Sequence, residues 1–171
     1  MALLKPLDAS AAEVAALLAP IRHDFSVAIH RCGNPFAVGA IVRVAHNFLA
    51  REIVVVGGGS WYEKASMGME KYETLVRAPT TDAFFAATEG RPVWAIEKDH
   101  AKRSILDISE FPRGVVFAFG SERGGLPSEV IERANDVIGI PMFGVNHSFP
   151  VAVAAGIVMH EWTRRRYRGG G

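Results

Sequence analysis

Two short stretches of this chain concentrate the residue types that hold ligands and handle charge. The first, Gly120-Ser121-Glu122-Arg123-Gly124-Gly125-Leu126-Pro127, carries three glycines that let backbone approach a bound molecule closely. Glu122 within it is a loop carboxylate that can accept a proton or orient a cation, its plainer use being a surface ion pair. The second stretch, Asn146-His147-Ser148, brings polar side chains to the start of a long apolar segment, where unpaired backbone N–H groups gather. Arg43 adds a guanidinium, which stays protonated in proteins. It therefore suits holding an anion such as a phosphate better than removing a proton. Its bland counterpart is a solvated arginine on a helix surface. Such groups describe a site that grips a ligand through peptide groups and steadies negative charge. A metal centre is not expected, because His30, His46, His100, His160 and Cys32 share no ligand spacing. Gly57-Gly58-Gly59-Ser60 lacks the spacing of a dinucleotide or phosphate loop and reads as a turn. His147 reads as a capping or surface histidine.

Strands must end where these groups begin. Val115 to Phe119 is an apolar run too short for a typical helix, rich in strand formers, and it stops at Gly120. Val137 to Ile140 is a second strand, broken by Pro141, and a helix from about Phe149 to Trp162 follows the Asn146-His147-Ser148 cap. Nearer the N-terminus, Ser10 and Glu13 have capping-box spacing for a helix over residues 8–19, with Val14, Leu17 and Leu18 on one face and Pro20 as its stop. Phe25, Val27 and Ile29 alternate with Ser26, Ala28 and His30, which predicts a strand. The turn Arg31-Cys32-Gly33-Asn34-Pro35 opens a helix to about Leu49, with Val38, Ile41, Val42, Ala45 and Phe48 as its buried stripe and Arg43 near its beginning. Ile53 to Val56 predicts a strand covered on both faces. There follow a short helix over Lys64 to Glu70, strands over Tyr72 to Val76 and Val93 to Glu97, and between these two a helix over Thr80 to Thr88. Ala101 to Arg113 is polar and poorly periodic. Strands alternating with helices predict an α/β fold, a mostly parallel sheet with helices on both faces. Ligands in such sheets sit beyond the carboxyl ends of the strands.

The segment Phe119 to Pro127 reads FGSERGGLP and is similar to a family motif FGSEGxGLP, departing at Arg123. Ile140 to Glu161 is similar to IPMxGxxxSLNVSVAAGIxxxE at Ile140, Pro141, Met142, Gly144, Ser148, Val151, Val153 to Ile157 and Glu161. Gly39-Ala40-Ile41 and Arg43 match part of an N-x-G-A-I-x-R-x-A block. In this order the three blocks resemble the SpoU (TrmH) family of S-adenosylmethionine-dependent RNA ribose 2′-O-methyltransferases, within the SPOUT superfamily. The resemblance implies one SPOUT methyltransferase domain over residues 1–171 with a C-terminal trefoil knot. It implies S-adenosyl-L-methionine as cofactor, held at Gly120, Ile140, Ser148 and Phe149 with Glu97 beside them. Arg43 would be the catalytic arginine, with Glu122 accepting a proton or orienting it. RNA, either tRNA or rRNA, would be the substrate, and two protomers would pair. Where the family has asparagine this chain has Ala37 and Pro150. Those departures leave open a scaffold that binds RNA or cofactor without catalysis, and a methyltransferase with another acceptor.

The remaining bounds are ordinary. At 171 residues the chain suits one domain, with 49% hydrophobic residues, a net charge of +1 and no overall basic excess. Arg164, Arg165, Arg166 and Arg168 cluster at the end of the last helix, favourable there for its dipole and available to RNA. A single cysteine and the lack of an apolar leader or span suit a cytoplasmic protein. The first and last helices, Val14 to Leu18 and Val153 to Met159, are apolar enough to bury more than one face, as a homodimer would need.

Overall fold

The computed structural model describes residues 8–30, 34–121 and 124–166. Cys32, Glu122, Arg123 and Arg168 lie outside the described residues. Seven strands form one sheet: β1 Ser26–His30, β2 Ile53–Val56, β3 Leu75–Ala78, β4 Val93–Ile96, β5 Arg103–Ser104, β6 Val116–Phe119 and β7 Asp136–Gly139. Their spatial order is β3-β2-β1-β6-β4-β7-β5, and every pairing is parallel. Among the described residues five α-helices accompany them: α1 Ala11–Leu18, α2 Pro35–Asn47, α3 Thr81–Ala87, α4 Ser128–Arg133 and α5 Val151–Arg166. No helix among the described residues is long and apolar enough to cross a membrane.

The pleat sorts the strand residues between two apolar layers. Val27, Ile29, Ile53, Val55, Phe117 and Phe119 pack beneath α2 and α5. Ala28, Val54, Val56, Ala95, Val116 and Ala118 pack against Phe84 of α3 and Val130 of α4. With both faces covered, the central strands are dry throughout. Aromatic rings fasten α5 to the sheet: Trp162 lies 4.7 Å from Phe25, which lies 6.0 Å from Phe117.

Local signals worked where their partners are near in the chain. The Ser10 and Glu13 capping box forms, and Thr80 caps α3. Asn34 caps α2 ahead of Pro35, but Arg43 stands in the second half of that helix rather than near its beginning. Leu17 is 56% exposed, because α1 buries only Leu18 fully. The single helix expected over Lys64 to Glu70 is two 3-10 turns, Glu63–Ser66 and Met69–Tyr72. They are parted where Met67 and Gly68 take left-handed φ of 55° and 84°. The strand placed at Tyr72 to Val76 runs instead over Leu75–Ala78, in register with β2. Residues 101–113 hold β5 and the 3-10 turn Ile105–Asp107, and they bury Ile105, Ile108 and Phe111. Finally, α5 begins at Val151, with the Pro150 carbonyl accepting from the Val153 and Ala154 N–H groups. The helix therefore starts three residues beyond Ser148, and Asn146-His147-Ser148 stay in the irregular segment before it.

Candidate cofactor cleft

Three strand ends meet at one place. β6, β4 and β7 lie side by side in that order in the sheet, although β5 separates β4 from β6 in the chain, and their carboxyl ends open onto a cleft of about 460 Å³. That volume lies in the usual range for small-molecule sites. The β6 end turns on Gly120, where a Cβ would overlap the backbone of Gly125 and Leu126. The turn closes by two hydrogen bonds of 3.0 Å, Ser121 N–H to the Gly125 carbonyl and Gly125 N–H to the Ser121 carbonyl. Ser121 Oγ also accepts from the Gly124 N–H at 2.8 Å. Gly125 has φ +62°, and a side chain there would run into the Glu97 carboxylate. These glycines therefore serve the loop's own close approach before they serve any ligand.

Glu97 joins the β4 end to this loop. Its Oε1 accepts from the Lys98 N–H at 2.8 Å and its Oε2 from the Leu126 N–H at 3.2 Å. On the β7 side, Gly139 has Ala101 Cβ only 2.7 Å from where its own would stand, which holds the strand end tight against the 97–101 turn. Ile140 leads from β7 into the irregular segment before α5, whose Ser148 and Phe149 also line the cleft. Ile96, Leu126, Ile140 and Phe149 give it apolar walls, and peptide groups at Gly120 to Ser121 and Gly124 to Leu126 supply polar edges. Such a cleft fits a ligand with a flat heteroaromatic end and a polar end: apolar side chains for the ring, peptide N–H and C=O for the rest.

Glu97, Gly120, Ile140, Ser148 and Phe149 all line this cleft. Arg43 does not. It is exposed on α2, and among the described residues no hydrogen bond or ion pair engages its guanidinium. Its neighbour Val44 meets α5 at Gly156, where a Cβ would stand 3.8 Å from the valine methyl, so α2 flanks the helix whose first turn lines the cleft. Glu122 lies outside the described residues. Ala37, in place of the family's asparagine, is 5% exposed within the apolar layer.

Lys98, Asp99, His100 and His147 also line the cleft and were not singled out as binding residues by sequence reasoning. The available signal was position: three of them follow Glu97 at the end of β4, and His147 precedes Ser148. Arg164, Arg165 and Arg166 also make contacts within the protein. Arg164 and Arg165 pair with Glu161, Arg165 also donates to the Leu106 carbonyl, and Arg166 donates to that of Phe111. Among the described residues no cluster of histidine, cysteine and carboxylate side chains could hold a metal ion.

Relatives share this architecture. Residues 24–160 match the family model of the SpoU rRNA methylases. A tRNA (guanosine(18)-2′-O)-methyltransferase of Thermus thermophilus is 28% identical over 152 residues, 86% of this chain and 78% of the relative. Its Escherichia coli counterpart is 26% identical over 164 residues, covering 93% and 71%. The S-adenosylmethionine-bound rRNA methyltransferase from Sinorhizobium meliloti superposes with a TM-score of 0.75 at 28% identity, over 87% of this chain and 60% of that one. This chain belongs to the SpoU rRNA methylase family.

Proposed function

We propose that this protein transfers a methyl group from S-adenosylmethionine to a ribose 2′-hydroxyl of tRNA or rRNA. The observation that carries the reading is the convergence of Glu97, Gly120, Ile140, Ser148 and Phe149 on one cleft at adjoining strand ends, in a chain of this family. When bound, the cofactor would supply an electrophilic methyl on a sulfonium: the ribose oxygen gains the carbon, the C–S bond breaks with its electron pair left on a neutral thioether, and the 2′-hydroxyl proton passes to Glu122 or to water. The chain's part is to bind and orient. Peptide groups at the turn after Gly120 would hold the cofactor's polar end, and Ile140 and Phe149 would flank its ring. Glu97 keeps the two walls at a fixed spacing. Arg43, free of partners among the described residues, steadies the alkoxide as it forms or clamps the neighbouring phosphate.

The same reading takes the chain as one cytoplasmic SPOUT methyltransferase domain that works as a homodimer without a metal. Exposed Phe36, Phe143, Val145 and Val153 support the pairing. The path from β7, near one sheet edge, back to α5 against α2 supports a C-terminal knot. A second reading, a scaffold that binds RNA or cofactor without catalysis, is favoured by Ala37 and Pro150. The deciding experiment supplies labelled S-adenosylmethionine and RNA from cells lacking the protein. Label recovered in a 2′-O-methylated nucleoside is the expected result. Cofactor binding with no transfer favours the scaffold, and transfer to a base moves the acceptor.

A further inference from the structure

A second cleft, of about 390 Å³, opens at the carboxyl ends of β1, β2 and β3. Ser121, Gly124 and Gly125 line both clefts, so the backbone of one turn is their common wall. His30, the last residue of β1, lines the new cleft between the apolar Val56 and Pro79 and the hydroxyl-bearing Thr81. His30 is 5% exposed, and its Nε2 is buried with no hydrogen-bond partner among the described residues. Leaving such an atom unpaired is costly, because it loses its bonds to water and gains none in the protein. The packing gives no reason for a polar group there: Ala28, Val56 and Phe84 share that face, and the Phe84 ring stands edge-on to the imidazole at 5.2 Å. Burial pushes the imidazole pKa down to about 4, so the ring is neutral near pH 7, with one nitrogen donating and one accepting.

We propose that this second cleft seats the nucleobase of the RNA nucleotide that receives the methyl group, and that His30 reads the hydrogen-bonding edge of that base. A planar heteroaromatic ring suits the apolar walls, and a neutral donor–acceptor imidazole suits its edge. Base and ribose are directly bonded, so a base held here leaves its ribose at the wall shared with the cofactor cleft. The inference rests on the RNA-methyltransfer reading above.

The test uses the full chain, labelled S-adenosylmethionine and transcripts of its mapped target carrying each of the four bases at the methylated position. Wild type is expected to favour one base at least tenfold in kcat/KM, since a site built around a hydrogen bond rejects substrates that leave it unpaired. His30→Phe keeps an aromatic ring in place, so cofactor affinity by calorimetry should stay within twofold while most of the base preference disappears. Thr81→Val, on the cleft wall outside β1, should relax the preference in the same direction and decides the matter if His30→Phe does not fold. Equal base preference in wild type and the folded variants overturns the proposal. A wild type that methylates all four transcripts alike overturns it and leaves the parent reading intact, whereas one that methylates no RNA overturns both.

Discussion

The Glu97 carboxylate holds the Lys98 and Leu126 N–H groups, one on each oxygen, and so fixes how far the β4 end stands from the turn after β6. Hydrogen bonds to a charged group contribute about 1.5–3 kcal/mol each, here spent on loop geometry at the cleft rather than on the core. Glu97→Ala is therefore expected to weaken S-adenosylmethionine binding at least tenfold in calorimetry. Unchanged affinity would remove Glu97 from the cofactor site. Gly120 makes a poorer probe, because any side chain there displaces Gly125 and Leu126 and unsettles the turn itself. Arg43 tests the chemistry instead. Its guanidinium stands outside the cleft, so Arg43→Ala should keep cofactor affinity while single-turnover methylation falls on the order of a hundredfold. Methyl transfer at the wild-type rate would take Arg43 out of the mechanism. Asparagine at Ala37 would have to bury an amide in the apolar layer, which costs about 1–3 kcal/mol unless it finds a partner.

At the scale of elements, α5 carries a concentrated electrostatic device. Hydrogen bonds from Arg164, then from Arg165, hold the Glu161 carboxyl down to about 2, against burial that alone would raise it. A carboxyl whose pKa is lower folded than unfolded adds stability that is complete above about pH 5 and is lost as pH falls from there towards 2. Glu161→Gln should thus destabilise the protein by on the order of 2 kcal/mol near neutrality, screened as the pair is by solvent. That gap should narrow below about pH 5 and close only as pH approaches 2, in urea titrations run across the acid range. A gap independent of pH would show that Glu161 acts by packing alone. His30 works in a different window. Its folded pKa of about 4 lies below the ordinary value of 6.5, so its contribution is complete above pH 6.5 and is lost between there and pH 4.

For the whole molecule, the exposed apolar side chains are the main unspent driving force. Phe143 is 92% exposed, Val145 96%, Phe36 56% and Val153 47%. A protein that leaves such side chains in water gains by covering them with a second copy. Sedimentation at micromolar concentration should give a mass near twice the 18.5 kDa chain, and Val153→Glu with Phe36→Glu should halve it. A wild-type mass of one chain would end the dimer reading.

The sequence by itself determined whatever a few neighbouring residues can fix. The Ser10 capping box, the Thr80 cap of α3, the Ile53–Val56 strand and the break at Gly120 all form where their residue types put them. Their energies come from hydrogen bonds and side-chain sterics within one turn or one strand. The motif residues around Gly120 and Ile140 were legible for the same reason, as short unbroken blocks. Tertiary structure alone decided the rest. Ser26 and His30 look like a wet strand face in a period-two pattern, yet both are buried, because helices cover that side of β1 as well. Residues 101–113 look like a loop, yet Ile105, Ile108 and Phe111 complete the layer beneath α5. Glu97, Gly120 and Ile140 converge only because β6 pairs with β4, and β4 with β7, in parallel register. That strand order also decided that Ser121 and Gly125 wall two clefts and that Arg43 stands outside both. Parallel pairing is long-range by nature, since each strand reaches its neighbour only through a crossover, and no local pattern of residues encodes which neighbour that will be.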